Sequence, residues 1–206
     1  MAKSDRKAVS HDRILDAASR AVKSHGFDGV SVVDVMKEAG LTHGGFYAHF
    51  ESKDVLLAEA VLRASRDGLV RMEEALLHFE RKGYSRFRAL VESYLSDTLI
   101  PGRADGCVVS ALISTMPLQP EAVIEASKSA VASLQRLVRS TLPEPQAPDA
   151  AWAVTSALIG AMQLARTLGD NEAGRAVLAA ARQQLIQQFD APAAPAAPGK
   201  KATKKP

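Results

Sequence analysis

The stretch that decides the fold is residues 31–53, SVVDVMKEAGLTHGGFYAHFESK. It predicts two short helices joined by a tight turn at Gly40. Ser31 and Asp34 have the S-x-x-D spacing of a capping box, which predicts that the first helix begins directly after Ser31. Thr42 is the expected N-cap of the second helix. Two short helices separated by a glycine turn indicate a helix-turn-helix.

The second helix carries Gly44 and Gly45 side by side, although each glycine costs about 1 kcal/mol relative to alanine inside a helix. A good reason for a short helix to keep that cost is that another surface approaches its backbone closely. Side chains that donate hydrogen bonds surround the pair, namely His43, Tyr47, His49 and Lys53. A short helix with little side-chain bulk and a ring of donors suits the major groove of double-stranded DNA.

The segment GLTHGGFYAHFESKDVL, residues 40–56, resembles the recognition-helix signature of the TetR family of bacterial transcriptional regulators. The resemblance extends from about His11 to Leu57 and includes ILDAA at 14–18 and the link GFDGVSV at 26–32. The rest of the chain is similar to the family only in general character. The resemblance implies an all-α protein, with an N-terminal three-helix DNA-binding domain followed by a helical bundle for ligand binding and dimerisation.

The resemblance also implies which residues contact DNA. Tyr47, unless it is simply half-buried, and Lys53 are expected to contact phosphates. His43 is the candidate for a base-edge contact, or else a solvated residue at the helix start. His49 is expected to donate to a phosphate, the alternative being that it fills the edge of the small core. The full set of DNA-binding candidates is Ser31, Thr42, His43, Gly44, Gly45, Tyr47, His49 and Lys53.

Neighbouring apolar residues shape the same expectation. Phe46 and Phe50 are four residues apart and are expected to hold the recognition helix against the first helix. Val32, Val33 and Ala48 lack the polar atoms or bulk with which some relatives read the groove. Base readout is therefore expected to be sparse and to depend on DNA shape.

The composition excludes several classes of protein. The single cysteine, Cys107, rules out an intramolecular disulfide framework and fits a reducing cytoplasm, which is the expected location. The first residues do not have the pattern of a signal peptide, and no run approaches the roughly 18 apolar residues of a membrane span, so no membrane partner is expected. No phosphate loop, nucleophile elbow or metal-spaced cluster stands out, so we expect no enzyme, no cofactor and no metal.

The net charge of +3 is misleading as a sign of DNA binding. It lies entirely in residues 190–206, which hold four lysines and Asp190, whereas acids and bases balance in the remainder. Any affinity for DNA must come from local placement of cations near the helix-turn-helix. Proline, alanine and lysine dominate the tail, which is therefore predicted to be disordered.

Helical spacing dominates the chain and predicts about nine helices. We predict a DNA-binding domain over 1–54, a ligand-binding and dimerisation domain over 55–189, and the tail over 190–206. Ser10 and Ser52 are expected to cap the first and fourth helices. The last two helices are rich in alanine and are expected to form a four-helix dimer interface with their twofold mates.

An apolar ligand cavity is expected between the C-terminal helices. Six candidates for its lining are scattered through the sequence: Phe87, Tyr94, Cys107, Met116, Trp152 and Met162. Each alone is more typical of a core residue. The Gly106-Cys107 pair also resembles a branch of the family that senses electrophiles or oxidants. The chain holds no resolving cysteine, so any disulfide would form between two chains.

These observations predict a regulator that binds a palindromic operator as a homodimer and represses until a small-molecule inducer releases it. One alternative is a thiol-based repressor that senses electrophiles or oxidants through Cys107. Another is a helical ligand-binding protein or enzyme whose helix-turn-helix is vestigial. The identity of the effector and of the operator does not follow from the sequence.

Overall fold

The computed structural model describes residues 3–144 and 149–190, and no β-strand occurs in these residues. Their α-helices are α1 (Lys3–His25), α2 (Val32–Glu38), α3 (Lys53–Glu80), α4 (Arg86–Tyr94), α5 (Val108–Leu112), α6 (Glu121–Thr141), α7 (Ala150–Leu168) and α8 (Glu172–Phe189). A 3-10 helix over His43–Ala48 completes the nine predicted helices in this part of the chain. The predicted all-α class is confirmed. Single 3-10 turns lie at Asp97–Leu99, Arg103–Asp105 and Met116–Leu118.

Side-chain caps fix where several helices begin. Ser31 Oγ accepts a hydrogen bond from the Asp34 amide at 3.3 Å, and Ser52 Oγ accepts one from the Val55 amide at 3.2 Å. Asn171 caps α8 in the same way. Each cap satisfies one of the backbone N–H groups that a helix leaves free at its N-terminus. The predicted starts of α2 and α3 are therefore confirmed.

Another predicted boundary is wrong. Ser10 does not cap the first helix, because α1 already begins at Lys3, with Asp5 in its first turn favouring the positive helix end. Thr42 is the N-cap residue of the 3-10 helix, as predicted, but its side chain accepts no capping hydrogen bond. After α4 ends at Tyr94, a single 3-10 turn follows.

The helix-turn-helix packs on a small core of its own. Phe46 and Phe50 are both 2% exposed, and their rings stack with centroids 5.7 Å apart. They hold the 3-10 helix against the N-terminal core, as the sequence predicted. Gly40 makes the turn with φ +69°, a conformation that residues with a Cβ rarely adopt. A Cβ there would also lie 2.5 Å from the Arg13 guanidinium.

The long helix α3 belongs to both halves of the molecule. It packs against α1 in the N-terminal half and against α4 and α6 in the C-terminal half. The predicted domain boundary after residue 54 therefore falls within the first turn of one continuous helix. Leu56 and Leu76 are buried, whereas Leu62 is 38% exposed and points away from the core.

The C-terminal half is a helical bundle. Helices α7 and α8 pack against each other across a turn at Gly169, and α6 lies between α3 and α7. Fully buried leucines fill the bundle: Leu76 of α3, Leu90 of α4, Leu95 just after α4, Leu158 of α7 and Leu178 of α8. Within residues 3–144 and 149–190, no helix has both the length and the apolar character to cross a membrane. The predicted tail lies outside the described residues, apart from Asp190.

Candidate nucleic-acid interface and interior cavity

The 3-10 helix presents one exposed face to solvent. Thr42, His43, Gly44, Tyr47 and Ala48 are all exposed, and the Tyr47 side chain is 73% exposed. Phe46 lies between these residues in sequence, but its side chain points into the core. The exposed face therefore combines an imidazole and a phenol with the small residues glycine and alanine. The half-buried tyrosine considered from the sequence does not occur.

Neither glycine of the recognition element is required by the free fold. Gly44 and Gly45 do not have positive φ, so alanine is compatible with the backbone at both positions. A Cβ at Gly44 would meet no atom within 4 Å beyond its own chain neighbours and helix backbone. A Cβ at Gly45 would face inward, 3.7 Å from Met36 Cε, which is ordinary van der Waals contact. Internal packing thus explains neither glycine, and only Gly44 opens onto free space.

The helix starts on either side of the turn also carry candidate residues. Lys53 is the first residue of α3 and is exposed, although the helix dipole disfavours a cation at that end. Ser31 is half-buried because its hydroxyl caps α2. Val33, the second residue of α2, is 55% exposed and adds an apolar group beside the donors. The exposed ammonium of Lys53 is the group here that is placed to meet an anion.

His49 lies at the edge of the N-terminal core. Its Nδ1 is buried and has no hydrogen-bond partner among the described residues, and its ring centroid is 6.2 Å from that of His11. Burial, followed by the charges of His11 and Lys7, lowers the pKa of His49 from its ordinary value. His11 in turn stacks on Phe50 and contacts Glu59 at 3.0 Å. His49 is therefore neutral at neutral pH, and a contact with phosphate would use Nε2.

A cavity of about 190 Å³ lies inside the C-terminal bundle. Residues of α3, α4, α5, α6 and α7 line it, together with the turn at residues 105–107. Most of its walls are apolar, including Leu69, Met72, Leu134, Leu137 and Met162. The volume is several times the roughly 30 Å³ that one water occupies in the liquid, so the space suits a small organic molecule.

Polar groups gather at one part of this cavity. Tyr94 is 2% exposed; its hydroxyl lies beside Cys107 and Ser110 but meets neither with good hydrogen-bond geometry. The buried Ser93 hydroxyl has no hydrogen-bond partner among the described residues. Burial, and then the neighbouring Cys107 thiol, raises the pKa of Tyr94 well above its usual value. Arg166 donates from Nε and Nη2 to the Leu99 carbonyl, each at 3.2 Å. Buried polar atoms without partners are costly, so their grouping marks this part of the cavity as a place for a ligand group.

The six residues proposed from the sequence do not line one cavity. Tyr94, Cys107 and Met162 line the interior cavity. Phe87 instead packs in the core with its ring centroid 6.0 Å from that of Phe189. Met116 and the 49% exposed Trp152 border a separate, shallow apolar groove on the surface between α6 and α7. The expectation of a joint lining is wrong for these three residues, because helical spacing alone does not show which face of each helix points inward.

A buried lysine joins the cavity region to the helix-turn-helix. Lys23 of α1 is only 6% exposed, and its Nζ donates to the Ala104 carbonyl in the 3-10 turn Arg103–Asp105. Asp105 at the end of that turn lines the cavity. Burial, and then the charge of Arg71, lowers the pKa of Lys23. Helix α1, the first helix of the N-terminal half, therefore carries a buried lysine that holds the turn beside the cavity.

Comparison with known proteins identifies the N-terminal region. Residues 14–60 match the family described as bacterial regulatory proteins, tetR family. This region belongs to the TetR family. YvdT of Bacillus subtilis, described as an uncharacterised HTH-type transcriptional regulator, is 38% identical over 47 residues, which are 23% of this chain and 24% of that protein. The chain thus matches about a quarter of that relative's length.

Solved TetR-like structures share the whole fold. The reduced form of Escherichia coli NemR superposes with a TM-score of 0.71 at 19% identity, over 90% of this chain and 99% of NemR. A TetR-family transcriptional regulator from Agrobacterium tumefaciens superposes with a TM-score of 0.67 at 20% identity, over 89% and 98% of the two chains. At identities of 19–20%, the similarity to these structures shows a shared fold alone. The resemblance stated from residues 11–57 is confirmed.

Sequence reasoning missed three residues of this chain that the structure makes prominent: Lys23, Ser93 and Arg166. Lys23 lies in the last turn of α1, where a cation is ordinary. Arg166 could have been noticed in the sequence, because it is the only charged residue of the otherwise uncharged α7. Among the residues that the structure describes, no group of three or more His, Cys, Asp or Glu side chains is arranged to hold a metal ion.

Proposed function

We propose that the chain is a ligand-responsive transcriptional regulator of bacterial cytoplasm, which binds a palindromic operator as a homodimer. It acts as a repressor, and a small molecule in the interior cavity releases it from the operator. The observation that carries the proposal is Gly44: the fold does not require it, and it opens onto the exposed donor face of a TetR-family helix-turn-helix. Close approach of the DNA groove to the backbone at this position would explain why the residue is glycine.

The exposed donors fit distinct roles on DNA. Tyr47 and Lys53 are exposed on either side of a short loop, where the phenol and the ammonium reach phosphates. His43 begins the 3-10 helix, and the first residues of a recognition helix contact base edges. Such an interface has few side chains with which to read bases, so a sizeable share of the specificity comes from the shape of the DNA.

The direct test is operator binding by the full chain. Labelled fragments from the DNA that flanks its own gene are titrated with protein, and fluorescence anisotropy is compared with that of scrambled fragments of equal length. Preference for one flanking fragment by at least a thousandfold at physiological salt supports the proposal. Equal affinity for all fragments contradicts it and leaves the vestigial helix-turn-helix as the better account.

A homodimer is supported by the outer face of α7. Its exposed residues between 152 and 164 are Trp152, Ala153, Ser156, Ala157, Gly160 and Leu164, a surface without charge. Such a face is typical of helix pairs that pack closely on a second copy. Light scattering is expected to give a dimer at micromolar concentration. Ala157→Asp places a charge in this face and is expected to give monomers, whereas Thr98→Asp, at an exposed site that is not part of this face, is the matched control.

Release by a ligand is supported by the contact between the cavity and α1. The turn at residues 103–105 borders the cavity, and its Ala104 carbonyl accepts the hydrogen bond of buried Lys23. A ligand that shifts this turn changes the position of α1 and, with it, the helix-turn-helix. Coupling of this kind requires that the ligand bind one of the two arrangements more tightly than the other.

A thiol-based sensor is the second candidate, favoured by the position of Cys107. The thiol is half-buried, lines the cavity and lies beside the Tyr94 hydroxyl. One of the similar structures, NemR, was solved in a form named as reduced. If this account holds, alkylation of Cys107 by N-ethylmaleimide abolishes operator binding, and Cys107→Ser is resistant. Operator binding that survives complete alkylation rules it out.

A further inference from the structure

We infer that the ligand of the interior cavity is an apolar molecule with a carboxylate head group, which pairs with Arg166. The inference rests on the proposed function only in taking this cavity as the effector site. It begins from the single charged side chain of α7, which projects to the cavity from a helix that is otherwise uncharged.

Among the residues that the structure describes, no carboxylate pairs with the guanidinium of Arg166. It makes hydrogen bonds to the Leu99 carbonyl and, at 3.4 Å, to the Ser110 hydroxyl, and the charges that act on it come from Tyr94, Arg103 and Cys107. Of its five N–H donors, these bonds use three and leave two. A partly buried cation that is paired only with neutral oxygens is costly, and a carboxylate that accepts two parallel bonds is its best complement.

The local backbone is shaped around this cation. A Cβ at Gly106 would lie 2.5 Å from Arg166 Nη2, so only glycine allows the guanidinium to rest against the turn beside Cys107. The buried hydroxyls of Ser93 and Tyr94 line the same cavity and can donate to an anionic head group, although that of Tyr94 also lies beside Cys107 and Ser110. Arg166, Ser93 and Tyr94 can therefore all donate hydrogen bonds into the cavity. The acidic residue in its lining, Asp105, is exposed to solvent.

The rest of the cavity determines the other part of the ligand. Leu69, Met72, Leu134 and Met162 provide an apolar surface without a charged group. This arrangement favours a hydrocarbon or aromatic body attached to the anion, and it disfavours a polar metabolite such as a sugar. The only other charged lining residue besides Arg166 and Asp105 is Arg71, which is exposed and adds to the attraction of anions.

The test uses three probes with the same apolar body: 4-phenylbutanoate, 4-phenylbutan-1-ol and 4-phenylbutylamine. Isothermal titration calorimetry on the full chain is expected to show that the carboxylate binds at least tenfold more tightly than the alcohol or the amine. Arg166→Gln is expected to remove this preference and to leave alcohol binding within about threefold. Arg136→Gln, at an exposed arginine of α6, is the control and is expected to keep the preference.

Each outcome decides the inference. Alcohol or amine binding as tight as that of the carboxylate overturns it, as does an unchanged preference in Arg166→Gln or the failure of all three probes to bind. If Arg166→Gln unfolds, Arg166→Lys, which keeps the charge but not the two-pronged geometry, is expected to retain only part of the preference. Operator binding is measured separately without probe, so that loss of DNA binding counts against the proposed function and not against the head-group preference.

Discussion

Replacing Gly44 by alanine is expected to separate stability from DNA binding. Because φ at Gly44 is not positive and a Cβ would meet open space, the methyl group causes no strain in the free protein. Alanine restricts the unfolded chain, which stabilises the fold by about 0.4–1 kcal/mol. For a chain of this size that is a rise in Tm of about 1–4 °C. On the operator, the same methyl group occupies the space into which the groove surface fits, so operator affinity is expected to fall. A tenfold fall corresponds to about 1.4 kcal/mol of binding free energy.

Gly45→Ala is the matched control for this experiment. Its Cβ points inward, 3.7 Å from Met36 Cε and 3.9 Å from Thr42 Oγ1, so it should stabilise the fold comparably without touching DNA. Differential scanning calorimetry gives the two Tm values, and fluorescence anisotropy gives the two operator affinities. The reasoning fails if Gly44→Ala raises Tm and leaves operator affinity unchanged, or if both variants lose affinity equally.

Four further predictions concern charge and contact. Lys53→Ala is expected to weaken binding to operator and random DNA alike and to reduce the slope of log K against log salt by about one, measured by titration with KCl. His43→Ala is expected to cost about 1–3 kcal/mol of discrimination between operator and random DNA; equal losses on both would show that it contacts only the backbone. The pKa of buried Lys23 is lowered by folding, so as pH rises the folded state loses the ammonium proton before the unfolded state does. The free energy of unfolding is therefore expected to rise with pH in the alkaline range below about 10.4. Lys23→Met is expected to remove that rise, which calorimetry at several pH values measures against the unmodified chain. Truncation after Asp190 is expected to leave Tm unchanged and to lower non-specific DNA affinity mainly at low salt, because four lysines are lost; the cut spares Asp190, whose carboxylate accepts a hydrogen bond from Ser85.

Long helices with a clear cap were predictable from the sequence. The start of the fourth predicted helix follows from the cap at Ser52, and the structure shows α3 over Lys53–Glu80. The recognition element was harder to predict in detail. Its few residues and two glycines make an α-helix costly to nucleate, and the structure has a 3-10 helix over His43–Ala48. The position of the element and its exposed face were predictable, but its helical type was not.

The lining of the cavity was the least predictable part. Phe87, Trp152 and Met162 are all large apolar residues, and nothing in their spacing distinguishes a core position, a surface groove and a cavity wall. That distinction depends on how α4, α6 and α7 are rotated against each other, which only tertiary packing decides. Arg166 was open to prediction in principle, since a lone charge in an apolar helix needs a reason, but its partner oxygen on Leu99 lies 67 residues away in sequence.

The continuity of α3 has a geometric consequence for the proposed regulator. The helix has 28 residues and is therefore about 42 Å long, and it carries both Lys53 at one end and the cavity wall residue Leu69. These two residues are about 24 Å apart along the axis, so the helix acts as a lever arm between them. A tilt of only about 5° at the cavity displaces Lys53 by about 2 Å, comparable to the difference between a made and a broken hydrogen bond. In a twofold assembly both arms swing, and the separation of the two recognition elements changes by up to twice that amount.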